Sequence, residues 1–117
     1  LLDKISILEI KQEKIKDPEK IKFINNEYSI LKNQFNTNVK SDDKLNQLYK
    51  SLKEINSKLW IIEDDKRQCE KDKDFSDKFI KLSRDVHFLN DDRAKIKLEI
   101  NNHSGSMIKE IKEYTNY

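Results

Sequence analysis

The residues able to do chemistry lie on two long stretches of mixed polar and apolar character. Along the first, Asn56, Trp60, Glu63 and Arg67 recur at four-three-four spacing, which puts them on one face of a helix, with Asp64 beside them. Along the second, His87, Asn90, Asp91, Arg93, Ala94 and Lys97 crowd the flank of an apolar stripe. Folding the two stretches together brings the only tryptophan, two amides, carboxylates and several cations into one region. One reading is a groove for an anionic or polar ligand. Arg93 and Lys97 would hold a phosphate or carboxylate, Asn56 and Asn90 would orient it, and Trp60 would form an apolar wall. The other reading is that these groups satisfy one another, Arg84 pairing with Glu63 or Asp64 and Arg93 fixing helix register. Either way Arg93 needs close partners, because an arginine on a core-facing stripe is costly when unpaired.

A second candidate is the turn Ser104-Gly105-Ser106, whose backbone amides at the start of a following helix could hold a phosphate. A plain helix–helix turn explains it as well, since phosphate loops are longer, richer in glycine and follow a strand. Metal and catalytic signatures are weak. His87 and His103 are far apart in sequence, and no His-Glu-x-x-His or Glu-x-x-His string occurs. Asp91-Asp92 and Glu63-Asp64-Asp65 could bind a hard cation, yet adjacent carboxylates on a helix mostly face different directions, and a solvated face is the favoured reading. Cys69 is the only cysteine, so there is no internal disulfide and no cysteine zinc site. The sequence therefore favours binding over catalysis, with no cofactor and no metal.

The elements that must position these residues are helices. Leu45, Leu48, Leu52, Ile55, Leu59, Ile62 and Cys69 alternate three- and four-residue steps, with Lys66 the one polar member. That stripe predicts a helix of about seven turns, long enough for the others to lie against it. Before it, Leu1 to Lys16 reads as a first helix whose apolar face is wide enough for two neighbours. Asp17-Pro18 ends it and opens a second, about Pro18 to Phe35, with Asp17 as N-cap. Ser41 or Asp42 caps the long helix, and its far end runs into the charged string Glu70 to Asp74. Ser76 caps a fourth helix, Phe75 packing back on Ile80, with Phe79, Leu82, Val86, Leu89, Ile96 and Ile100 carrying its stripe to about Asn102. A short C-terminal helix holds Met107, Ile108 and Ile111, and Glu113 to Tyr117 frays.

Short loops make neighbouring helices antiparallel. If the third and fourth fold about residue 74, Asn56 meets Arg93, Trp60 meets Phe88, and Glu63 and Asp64 meet Arg84. The expected architecture is all-α: an antiparallel helical bundle on a long, coiled-coil-like hairpin, four main helices and a short fifth, in one domain over 1–117.

Composition agrees. Apolar residues are 35% and charged residues 39% of the chain, with one Gly and one Pro. Helices fill a core from so small an apolar supply, because each needs only about three apolar positions in seven. The 24 basic and 22 acidic residues nearly cancel, leaving no one-sided field for nucleic acid or an acidic membrane. No apolar run is long enough to span a membrane, so a cytoplasmic location is the expectation. The chain opens on Leu1 without an initiator Met, which suggests a segment ahead of it.

Several strings together resemble a family of small uncharacterised bacterial proteins. They are Leu2-Asp3-Lys4-Ile5 with Ile7 to Lys11, Leu59-Trp60 with Ile62-Glu63-Asp64 and Arg67, and Asn90-Asp91 with Arg93-Ala94 and Ile96-Lys97. Ile100-Asn101, Gly105-Ser106, and Glu110 with Lys112 and Tyr114 continue the match in order. The resemblance implies an all-helical domain of bacterial or phage-like origin, near genes for cell-surface glycan or lipopolysaccharide assembly, and supplies no reaction. Two functions follow as expectations. One is a non-enzymatic helical binding or interaction module, with a protein partner or second copy covering spare apolar residues such as Phe23, Ile30, Tyr49 and Phe88. The alternative is a small enzyme or sensor that binds a phosphorylated sugar or nucleotide at Arg93, Lys97 and the Gly105 turn.

Overall fold

In the computed structural model, which describes residues 1–105, the chain forms four helices and, among those residues, no strand. They are α1 (Leu2–Lys14), α2 (Pro18–Asn38), α3 (Asp43–Asp72) and α4 (Asp77–Gly105).

Local chemistry sets their ends. α1 stops two residues before the expected Lys16, because Ile15 is already extended ahead of the Asp17-Pro18 break. Asp17 caps α2 by accepting from the Glu19 amide at 3.0 Å, with Pro18 in the first turn. α2 runs on past Phe35 to Asn38, so that Val39 reaches the core. Of the two candidate caps for α3, Asp42 is the one used: its Oδ1 accepts from the Leu45 amide at 2.8 Å. Ser41 instead donates to Asn46.

At its far end α3 keeps Glu70 to Asp72 inside the helix, where the helix was expected to dissolve, and these charged residues are exposed as a solvated run should be. Lys73 then adopts a left-handed conformation (φ 55°, ψ 36°), and the Asp74 amide donates back to the Cys69 carbonyl at 2.8 Å. This Schellman closure satisfies carbonyls that would otherwise be orphaned. Asp74 accepts from the Ser76 amide at 3.1 Å, and Phe75 meets Phe79 edge to face at 5.4 Å. The chain has by then reversed direction, and α4 returns along α3. The contacts run antiparallel: Lys66 lies over the Phe79 ring at 5.7 Å near the turn, and Asp42 meets His103 at the open end.

α1 packs on both α2 and α3, as its wide apolar face requires. The central core joins Leu2 and Ile5 of α1, Phe35 of α2, Leu45 and Leu52 of α3, and Ile100 of α4. Charged and polar pairs bind the outer edges. Lys53 of α3 reaches Glu13 of α1 at 3.0 Å, and Gln12 of α1 donates to Asn25 of α2 at 2.9 Å. All of this lies toward the open end of the hairpin. Beyond Trp60 toward the turn, Cys69 is the one fully buried apolar side chain of α3, and the long axis reaches 49 Å. The expected short helix at Met107 to Ile111 lies outside the described residues.

Candidate functional site

Arg93 sits at a core-facing position of α4, and its partner comes from α1 rather than from α3. The guanidinium grips the Asp3 carboxylate in a fork: Nε donates to Oδ1 at 3.2 Å and Nη2 donates to Oδ2. The Lys97 ammonium, one turn further along α4, lies 3.6 Å from the same carboxylate. From the other side Asn56 of α3 donates to Asp3 Oδ1 at 3.0 Å and to the Ser6 hydroxyl at 2.8 Å. Ser6 is fully buried and donates in turn to the Asp3 carbonyl at 2.7 Å. Three helices are thus tied at one carboxylate. The planar fork of arginine suits this role, because it offers two parallel donors to one carboxylate.

Burial on its own would push the Asp3 carboxyl up. The hydrogen bonds from Arg93 and Asn56, with the charges of Arg93 and Lys97, outweigh it and hold the group below its ordinary value. An unfolded aspartate titrates near ~3.9, so the clamp contributes fully above that pH and its contribution is lost as pH falls through the lower folded value. Urea midpoints of the protein and of an Asp3→Asn variant are therefore expected to differ most above about pH 5 and to converge in stronger acid. A constant gap across that range would contradict an ionised Asp3 as the anchor.

Next to the clamp opens a cleft of about 280 Å³. Ile7 and Ile10 of α1 and Leu59 of α3 give it an apolar floor. Trp60 forms a half-buried wall, and Asn56, Glu63, Arg67, Asn90 and Arg93 complete the lining. The bonds to Asp3 leave Arg93 Nη1 uncommitted, and those of Asn56 leave its carbonyl oxygen uncommitted. The cleft therefore presents a flat aromatic face, donors, an acceptor and charges of both signs.

Six of the residues singled out by spacing, Asn56, Trp60, Glu63, Arg67, Asn90 and Arg93, meet at this cleft. Asp64 and Asp91 do not. Both are exposed, Asp64 lying 3.9 Å from Arg67 and Asp91 3.7 Å from His87 along the same helices. Lys97 contacts Asp3 and borders a shallower groove with Asn90, Arg93 and Asn101. The Arg84 pairing is also corrected: its guanidinium lies 5.9 Å from the Phe88 ring, away from Glu63 and Asp64. Trp60 correspondingly shares its cleft with Asn90, while Phe88 is exposed and borders a different groove. Gly105 is not a turn residue but lies within α4, because the helix runs three residues beyond Asn102. Ser106 lies outside the described residues.

Sequence reasoning missed Asp3 and Ser6. The available signal was a carboxylate and a hydroxyl set among Leu2, Ile5 and Leu8, all of which are buried. Among the described residues no cluster of three or more His, Cys, Asp or Glu could hold a metal ion, and no helix is long and apolar enough to cross a membrane. No curated protein and no solved structure matches the chain. One family does match, over residues 1–117 and so over the whole chain: the protein belongs to the family of unknown function DUF6165.

Proposed function

We propose that this protein is a non-enzymatic helical binding module. Its ligand is a small molecule with one flat apolar face and a polar, negatively charged rim. The observation that supports this reading is the division of labour at Arg93. One edge is locked to Asp3 while the same side chain lines a cleft walled by Trp60 and keeps unused N–H donors. Trp60 takes the apolar face, Asn56 and Asn90 exchange hydrogen bonds with the rim, and Arg93 with Arg67 meets the negative charge. Glu63 accepts from hydroxyl groups and discriminates against ligands that are anionic all round.

Sugar acids and sugar phosphates have this chemistry. Together with the resemblance described above, this supports reading the module as an accessory to bacterial cell-surface glycan assembly. Asp3 supports binding over catalysis: held ionised among donors, it is a structural anchor and a poor proton carrier at neutral pH. A sensor or small enzyme for a phosphorylated sugar or nucleotide is the second reading. It draws on Arg93 and Lys97 sharing the single carboxylate of Asp3, which leaves one positive charge in excess.

Trp60 reports directly on the cleft, because it is the only tryptophan in the chain. Titration with glucuronic acid, glucose-1-phosphate and a uridine diphosphate sugar is expected to change its fluorescence saturably with at least one of them. The same probe at a hundred times its dissociation constant should stabilise the fold by about 2.7 kcal/mol. Silence in both measurements for every probe would overturn the binding reading. Turnover of a probe would favour the enzyme.

A further inference from the structure

α4 carries two stripes. The core-facing one runs through Phe79, Leu82, Val86, Leu89, Arg93, Ile96 and Ile100. The second is wholly exposed: Ile80, Arg84, His87, Asp91, Ala94 and Leu98 alternate four- and three-residue steps on the opposite side, with Phe88 beside them. Its two large apolar residues and the neighbouring Phe88 are more than half in water, Ile80 at 54%, Leu98 at 60% and Phe88 at 53%. Four-three alternation is the seam of a helix pair, and among the described residues no helix of this chain covers it.

The order of residues along this seam says what does. A two-fold axis crossing α4 near Leu89 matches each residue with the one equally far on the other side. Ile80 then meets Leu98 of a second copy, Arg84 meets Ala94, and His87 meets Asp91. Every apolar end finds an apolar partner, and the one acid on the stripe faces the one imidazole. Repetition by the two-fold doubles each match, as an isologous interface requires. A parallel pairing in register would instead place Asp91 on Asp91 and Arg84 on Arg84, which repel.

We infer that this outer stripe of α4 is the interface of an antiparallel homodimer, two α4 helices crossing near Leu89. Ile80 to Leu98 spans ~27 Å of helix at ~1.5 Å per residue. A two-helix seam of that length is at the small end of specific interfaces, below about 1,200 Å² in all, where association is weak and reversible. Lys81 and Lys95 flank the seam on one side of α4 and Lys97 on the other, and Lys81 is already bonded to Asp85 of the same helix at 2.8 Å. The clamp at Asp3 lies on the core-facing side of α4, so this interface stands or falls independently of any ligand in the cleft.

The test is sedimentation equilibrium of the whole chain between about 1 and 200 μM, bracketing the affinity expected of so small an interface. Wild type is expected to pass from monomer to dimer in that range. Leu98→Glu and Ile80→Lys, both surface changes, are each expected to weaken dimerisation tenfold or more while leaving the circular dichroism unchanged. Mixed in equal amounts, the two variants are expected to recover a heterodimer. Only the antiparallel arrangement brings the new glutamate of one chain against the new lysine of the other and keeps the second Ile80–Leu98 contact intact. A wild-type monomer throughout, a dimer indifferent to both changes, or no recovery on mixing would each overturn the proposal. The first of these would leave the stripe to a partner of another kind.

Discussion

Replacing Asp3 by alanine is expected to destabilise the protein by about 2 kcal/mol, far more than a partly exposed first-turn carboxylate normally commands. The change leaves the Arg93 guanidinium and the Lys97 ammonium together without a counter-charge, and strips Asn56 of one acceptor. Breaking a fully buried pair costs about 3–5 kcal/mol, and the figure here is lower because the Arg93 side chain is 29% exposed. Lys97→Ala serves as the control. Its side chain is 45% exposed and its partner retains Arg93, so the expected change is within about 0.5 kcal/mol. Replacing both partners of the fork together, with Asp3→Leu and Arg93→Met, should recover much of the loss, since the cost lies in the stranded charge. Urea denaturation measures all four proteins. An Asp3→Ala protein indistinguishable from wild type would show that the fork carries no net stability.

The second large effect is expected at Leu52. This side chain is fully buried where α1, α2, α3 and α4 meet. Leu52→Ala removes apolar contact and leaves a cavity, at a cost of about 3 kcal/mol. Domains of this size have about 5–15 kcal/mol in total, so the variant should melt markedly earlier. The same truncation at Ile61, which is 51% exposed on the same helix, should cost under about 0.5 kcal/mol. The contrast tests whether the core is confined to the open end of the hairpin. Equal costs at Leu52 and Ile61 would mean that the turn-proximal half is buried against something else.

The four main helices and most of their starts were legible because they depend on neighbours in sequence. Asp17-Pro18, Asp42 ahead of Leu45, and the three–four stripes each encode a local conformation. The need of Arg93 for a partner was equally legible, since desolvating an arginine has a known cost. Which carboxylate meets it was not. Asp3 reads as an ordinary acidic residue in a first helical turn, and only the docking of α1 between its neighbours makes it a clamp. Glu63 and Asp64 show the limit of spacing arguments: one step along a helix turns a side chain by about 100°, enough to put Glu63 in the cleft and Asp64 in solvent. At Gly105, a glycine between two serines has the composition of a turn, yet the helix extends as far as this residue. Propensity there is a preference of about 1 kcal/mol, small beside the packing of Ile100 and Ser104 just before it.

The fork between Asp3 and Arg93 joins residues 90 apart in the chain. The α3–α4 turn, by contrast, closes within a few residues, so the hairpin can zip from Lys73 outward long before the two ends of the chain find each other. α1 is then the last part to dock in assembly and the first to leave. Loss of the Asp3 carboxylate should accordingly quicken unfolding while barely touching the refolding rate, a kinetic signature that a purely local helix-start defect in the hairpin would not produce.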